Sequence, residues 1–171
     1  MEIVHDLSGT IVVLGGARSG KSTFAESLFE NCNRAAYLAT AEALDSEMKA
    51  RISRHQSRRG SKWTTMEEPI DISSTIAQTR TPLLVDCLTI WLSNLIHLEK
   101  DLEMVTADLC QVLQNHVYPV VMVSNEVGGG IVPENKLARR FRDEAGLLNQ
   151  RVASVADSVY LVTAGLPQKL K

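Results

Sequence analysis

Apolar residues in this chain fall into short unbroken runs, separated by longer stretches in which they recur every three or four positions. The runs predict buried strands at Thr10–Leu14, Ala35–Ala39, Leu83–Val85 (ending at Asp86), Val117–Ser124 (Pro119 near its start) and Val159–Thr163. A further short strand is predicted from Lys62 to Glu67, closed by Pro69. Between the runs the spacing becomes helical. A helix opening near Lys21 puts Phe24 and Leu28 on one face. Asp45 or Ser46 can cap a second helix running to about Arg59, with Met48, Ile52 and His55 at i, i+4 and i+7. Helices are also expected over Leu88–His97 and Asp101–Asn115, and a long one carries Phe141, Ala145, Leu148, Val152 and Val155 along one side.

Strands that are apolar throughout must be covered on both faces, and helices alternating with them imply parallel pairing. The expected fold class is α/β, three layers about a mainly parallel central sheet. The 171 residues suffice for one domain (1–171) with one substantial core. In such a sheet, ligands bind at the carboxyl ends of the strands, where the loops after Leu14, Ala39, Val85 and Ser124 gather.

Composition narrows the class little: 44% hydrophobic and 22% charged residues are ordinary for a globular protein. The formal net charge of −2 argues against a nucleic-acid partner, which requires a basic surface. No stretch approaches the ~20 apolar residues of a membrane span, and the start Met1-Glu-Ile-Val-His-Asp6 lacks a signal peptide's basic region. Cys32, Cys87 and Cys110 show no metal-ligand spacing and read as reduced thiols, so a cytoplasmic location is expected.

The first chemical signal is the loop after the first strand. Gly15, Gly16, Ala17, Arg18, Ser19, Gly20, Lys21 and Ser22 match G-x-x-x-x-G-K-[ST] between a strand and a helix. Glycines let backbone N–H groups approach phosphate oxygens, and the helix start adds partial positive charge. Lys21 can reach the β- and γ-phosphates, and the Ser22 hydroxyl can enter the shell of a Mg²⁺ ion. The expected architecture is therefore a P-loop NTPase-type fold. Asp86, ending an apolar strand, suits the second acidic partner of Mg²⁺; the alternative is a helix N-cap before Leu88.

The second signal is Arg51, Arg54, Arg58 and Arg59 set around His55. Three readings stand: a solvated basic helix face, a phosphate-binding face, or a covalent nucleophile. The last is coherent because guanidiniums disfavour the protonated imidazole and offset charge on departing pyrophosphate. His5, His97 and His116 lack such a setting and read as surface or structural residues. The loop Asn125–Pro133, with Gly128, Gly129 and Gly130, either borders a bound nucleotide or substrate or merely connects strand to helix. Arg139, Arg140 and Arg142 either meet phosphates or serve structure.

Taken in order, the motifs resemble one family. They are the P-loop, Tyr37-Leu-Ala-Thr40, Asp45-x-Glu-Met48-x-x-Arg51-Ile-x-x-His55, and Trp63-x-Thr-x-Glu67-Glu-Pro69. They continue with Asp86-Cys-Leu-Thr89, Asn94-Leu95, Ser124-Asn-Glu-Val-Gly128-x-Gly-Ile-Val-Pro133, Phe141-Arg-Asp143, Gly146, Asn149-Gln150 and Ala156-Asp157. This series is similar to that of bifunctional adenosylcobinamide kinase/adenosylcobinamide-phosphate guanylyltransferases. It runs from about Ile11 to the C-terminus, leaving residues 1–9 as an N-terminal extension.

The resemblance implies phosphorylation of adenosylcobinamide by ATP or GTP. It then implies transfer of GMP from GTP through a guanylyl-histidine, placed by motif at His55. It further implies nucleotide contacts at Thr40, Gln56, Ser57, Arg58, Arg59, Glu67 and Asp86, Mg as the metal, and a homotrimer. Some members carry a second histidine before the nucleophile; here that residue is Arg54. A plain small-molecule kinase, in which His55 only binds phosphate, shares every P-loop feature and differs solely in lacking the covalent step.

Overall fold

A computed structural model describes residues 7–41 and 60–171. The helix expected from Asp45 or Ser46 to Arg59, and with it His55, Gln56, Ser57, Arg58 and Arg59, lies outside the described residues.

Among the described residues twelve elements follow in order: β1 (Thr10–Gly15), α1 (Lys21–Ser27), β2 (Ala35–Ala39), β3 (Trp63–Glu67), α2 (Ile72–Gln78) and β4 (Leu83–Asp86). Then come α3 (Leu88–His97), α4 (Leu102–Asn115), β5 (Val120–Asn125), α5 (Lys136–Val155), β6 (Ser158–Thr163) and β7 (Leu166–Lys169). The strands form one sheet in the order β3-β2-β4-β5-β1-β6-β7. All neighbours are parallel except β6 and β7, which form an antiparallel hairpin.

The apolar runs explain the sheet. β2 is buried at all five positions and β5 at its first five, as strands covered on both faces must be. Within β1, Ile11 and Val13 face one core and Val12 the other, the alternation a pleated strand requires. On one side Phe24, Ala25 and Leu28 pack with Ile11, Val13, Leu84 and Val121. On the other, Ile76, Trp91, Leu109 and Leu148, from α2 to α5, cover Val12, Leu38, Val85 and Met122. The result is the expected three-layer α/β sandwich.

Helix starts are set by side chains that satisfy otherwise unpaired N–H groups. Asp71 accepts from Ser74 N at 3.1 Å, Asp101 from Met104 N at 3.0 Å and Asn135 from Ala138 N at 3.1 Å. One sequence expectation needs correction. The strand placed at Val117–Ser124 begins at Val120, because Pro119 has no N–H to enter the ladder; its carbonyl instead accepts from Leu83 N at 2.9 Å. Two elements were not foreseen: α2, only seven residues long, and β7, whose four residues are all exposed. The three cysteines are free, as expected, with Cys87 buried and its thiol pushed above its ordinary pKa by burial and then by the charge of Asp86.

Candidate functional site: a phosphate cradle at the carboxyl end of the sheet

β1 ends at Gly15, the chain turns through 16–20, and α1 starts at Lys21. Gly20, at φ 95°, occupies the N-cap position in a left-handed conformation that glycine adopts without steric cost. Arg18 also has positive φ, 56°. The turn is closed by Ser19 N donating to Gly16 O at 3.3 Å and Phe24 N donating to Gly20 O at 3.0 Å. Lys21 Nζ lies 3.2 Å from Gly16 O, folded back over the loop. An ammonium curled over a glycine-rich turn at a helix start is a cradle for phosphate oxygens.

Strand pairing brings the other candidates to the same end of the sheet. Ala39 is in register with both Glu67 and Asp86, Asp86 with Val123, and Gly15 with Asn125. Asp86 is separated from the cradle strand by β5 alone, so about 10 Å divides their axes. It lies two residues after Leu84 and therefore on the α1 side, where Leu84 packs. The Tyr37 hydroxyl donates to Asp86 Oδ2 at 2.7 Å. The N-cap alternative for Asp86 fails, since Cys87 holds that position in α3 and makes no side-chain cap. Glu67 is exposed at the end of the edge strand.

Thr40 is fully buried, and its hydroxyl is engaged twice by one residue. It donates to Cys87 O at 2.8 Å and accepts from Cys87 N at 2.9 Å, across a cis Asp86–Cys87 peptide. As it stands, that hydroxyl clamps the turn after β4. Asn94 Nδ2 extends the clamp, donating to Thr40 O at 2.9 Å and Pro69 O at 3.1 Å, while Trp91 Nε1 donates to Ile70 O at 2.7 Å.

The end of β5 is tied in the same manner. Ser124 Oγ donates to Asn149 Oδ1 at 2.7 Å, and Asn149 Nδ2 donates to Asn125 O at 3.1 Å. Asn125 N donates to Thr89 Oγ1 at 2.7 Å, and Glu126 N to Gly15 O at 3.0 Å, which joins this network to the cradle. Tyr37, Thr89, Asn94 and Asn149 appeared in the sequence only as motif letters. The usable signal was a polar residue on an otherwise apolar helix face, as Asn149 lies between Leu148 and Val152.

Two of the four arginines of α5, Arg139 and Arg142, serve the glycine-rich loop. Arg142 Nη2 donates to Gly128 O at 2.6 Å, and Arg139 Nη1 to Pro133 O at 2.9 Å and Glu134 O at 2.5 Å. The loop thereby forms one wall of an open groove of about 810 Å³, lined by Ile96, Val127, Ile131, Pro133, Leu137 and Phe141, with exposed Arg140 on its rim. Among the described residues no helix is long and apolar enough to cross a membrane, and no three His, Cys, Asp or Glu side chains gather as a metal cage.

Fold and cradle together define a P-loop nucleotide-binding α/β protein. Solved structures agree at the level of fold. The chain superposes on a protein of Pyrococcus horikoshii OT3 with TM-score 0.56 at 10% identity, covering 98% of this chain and 88% of the other. It superposes on an ATPase of a bacterial type III secretion system with TM-score 0.56 at 11% identity, covering 94% and 56%.

Sequence relationships are narrower. Residues 11–170 match the family described as cobinamide kinase / cobinamide phosphate guanyltransferase. The chain is 43% identical over 166 residues to the bifunctional adenosylcobalamin biosynthesis protein CobP of Pseudomonas aeruginosa, covering 94% of this chain and 96% of that one. It is 42% identical over 179 residues to the bifunctional adenosylcobalamin biosynthesis protein CobU of Salmonella typhimurium, covering 94% and 99%. This chain belongs to the cobinamide kinase / cobinamide phosphate guanyltransferase family, and is an enzyme of phosphoryl and guanylyl transfer in adenosylcobalamin biosynthesis.

Proposed function

We propose that both transfers, phosphorylation of adenosylcobinamide by ATP or GTP and guanylylation of the product by GTP, use the single cradle of Gly15–Ser22. The supporting observation is the convergence of the P-loop, Asp86 and Glu67 at one end of the sheet. Backbone N–H groups of Gly16, Ala17, Arg18, Ser19 and Gly20 bind the triphosphate, and Lys21 offsets charge that grows on it during transfer.

Ser22 and Asp86 would hold a Mg²⁺ ion, with nucleotide oxygens and water supplying its other ligands. One carboxylate and one hydroxyl is the donor set such an ion takes when phosphates supply the rest. When bound, the ion neutralises phosphate charge. The Tyr37 hydroxyl orients the carboxylate that would face it. Thr40 contributes by fixing the turn that follows Asp86, and Glu67 contacts the nucleotide from the edge strand.

In the second reaction, neutral His55 attacks the α-phosphorus of GTP and pyrophosphate leaves. The phosphate of adenosylcobinamide phosphate then displaces histidine from the guanylyl group. Gln56, Ser57, Arg58 and Arg59 contact GTP in this step, and no imidazole replaces His55, because Arg54 precedes it. The groove walled by the glycine-rich loop, largely apolar with Arg140 on its rim, suits an apolar edge of the corrinoid. The enzyme works in the cytoplasm as a homotrimer.

One substitution tests the shared cradle. Lys21→Ala should lower both the kinase and the guanylyltransferase rate by about 100-fold or more, the scale of losing a charged transition-state contact. Near-native kinase activity in that variant would contradict the proposal.

A further inference from the structure

The last strand adds little to the core, yet the hairpin that carries it touches the cradle. β6 and β7 are joined by a two-residue turn, Thr163 pairing with Leu166. Its two central residues, Ala164 and Gly165, have φ of 52° and 80°, the left-handed pair that a tight hairpin requires. β6 is fixed by burial and by pairing with β1, but all four side chains of β7 are exposed, so burial does not hold the turn between them. One hydrogen bond ties the turn to the cradle: Gly165 N donates to Ser19 O at 2.8 Å. The approach is close enough that a β-carbon on Gly20 would stand 3.0 Å from Gly165 Cα.

The Ser19–Gly20 peptide is planar and trans, so its C=O and N–H point in opposite directions. Holding the Ser19 carbonyl on Gly165 turns the Gly20 N–H away from the hairpin. The neighbouring contact has the same form: Glu126 N holds Gly15 O and so directs the Gly16 N–H. The cradle is thus held by its carbonyls at both ends.

We propose that the Ala164–Gly165 turn is a positioning element for triphosphate binding, its Gly165 N–H fixing the direction of the Gly20 N–H by holding the Ser19 carbonyl. The proposal rests on the cradle being the nucleotide site. It adds that residues near the C-terminus, with no predicted contact to substrate, set affinity for the phosphate chain. Donors held in place before binding lose less freedom when phosphate arrives.

Tripolyphosphate and GTP, titrated into the intact protein, are suitable probes because tripolyphosphate reports on the cradle alone. Gly165→Val, whose β-branched side chain resists positive φ, should weaken both by about ten-fold, the scale of one charge-assisted hydrogen bond. Gly165→Asn, which tolerates that φ and keeps the N–H, should remain within about two-fold of the parent. An ester in place of the residue-165 amide removes the donor alone and should match the valine variant, with KM for nucleotide raised and KM for the corrinoid unchanged. Parent-like binding by the ester protein would overturn the proposal, as would an asparagine variant as weak as the valine one. A parent protein that binds neither probe would instead refute the cradle itself.

Discussion

The Tyr37 hydroxyl donates to Asp86 Oδ2 across 2.7 Å, linking β2 to the carboxylate that closes β4. Tyr37 is itself held edge-on against Trp63, with ring centroids 6.2 Å apart, so the donor is presented from a rigid aromatic cluster. A carboxylate with one oxygen held this way meets a cation in one orientation. Tyr37→Phe keeps the ring and removes the donor. It should lower kcat/KM of the kinase reaction by about 5- to 30-fold, equivalent to about 1–2 kcal/mol, and weaken the apparent affinity for Mg²⁺. Thermal stability should change little. Unchanged magnesium dependence would show that the bond serves packing alone.

Thr40 separates clamping from ligand contact. Thr40→Ser preserves both bonds to Cys87 and should leave nucleotide KM near that of the parent. Thr40→Val conserves volume but leaves the buried Cys87 N–H and C=O without the hydroxyl, at a cost of about 2–4 kcal/mol. Thermal unfolding and initial rates measured together check this: the valine variant should lose stability and turnover jointly. Lost turnover at native stability would mean that Thr40 acts on the nucleotide directly.

Asn149 joins α5 to the last two residues of β5. Asn149→Leu should strand the buried Ser124 hydroxyl and the Asn125 carbonyl, destabilising the fold by about 2–4 kcal/mol. For a chain of this length that corresponds to a midpoint lower by about 5–15 °C in a thermal melt. The double variant Ser124→Ala with Asn149→Leu should recover part of the loss, because one orphaned group is then gone.

His116 provides a pH signature remote from the site. Its Nε2 is buried without a hydrogen-bond partner among the described residues, and burial, followed by the Arg80 charge, holds its pKa below the ordinary value. The unfolded chain therefore takes up this proton more readily than the folded one. Its contribution to stability is complete above about pH 6.5 and is lost as pH falls from there through the lower folded-state value. Thermal midpoints between pH 7.5 and 5.5 should fall less steeply in His116→Gln than in the parent. Parallel profiles would contradict the assignment.

The buried strands were legible because each is apolar on both faces, a pattern that loops and surface helices do not produce. Leu88–His97 was legible from its apolar spacing, and α4 from that spacing together with the Asp101 cap. β7 was not, since a strand with four exposed side chains at a sheet edge leaves no alternation, and its Pro167 argues against a strand anywhere but an edge. α2 is too short for periodicity to separate it from a loop; only Asp71 marks its start. For the site, the P-loop could be read directly from spacing. The roles of Asn94, Asn149 and Thr40 could not, because each depends on carbonyls brought near by the fold from 24 to 54 residues away.

The central claim is that one cradle serves a covalent guanylyl transfer through His55. GTP labelled at the α-phosphate, incubated with the enzyme and Mg²⁺, tests it most directly. An acid-labile, base-stable label should remain on the protein, vanish in His55→Ala, and pass to product when adenosylcobinamide phosphate is added. The same variant should still phosphorylate adenosylcobinamide. A label that persists without His55, or a native enzyme that guanylylates its substrate without ever carrying label, would contradict the account.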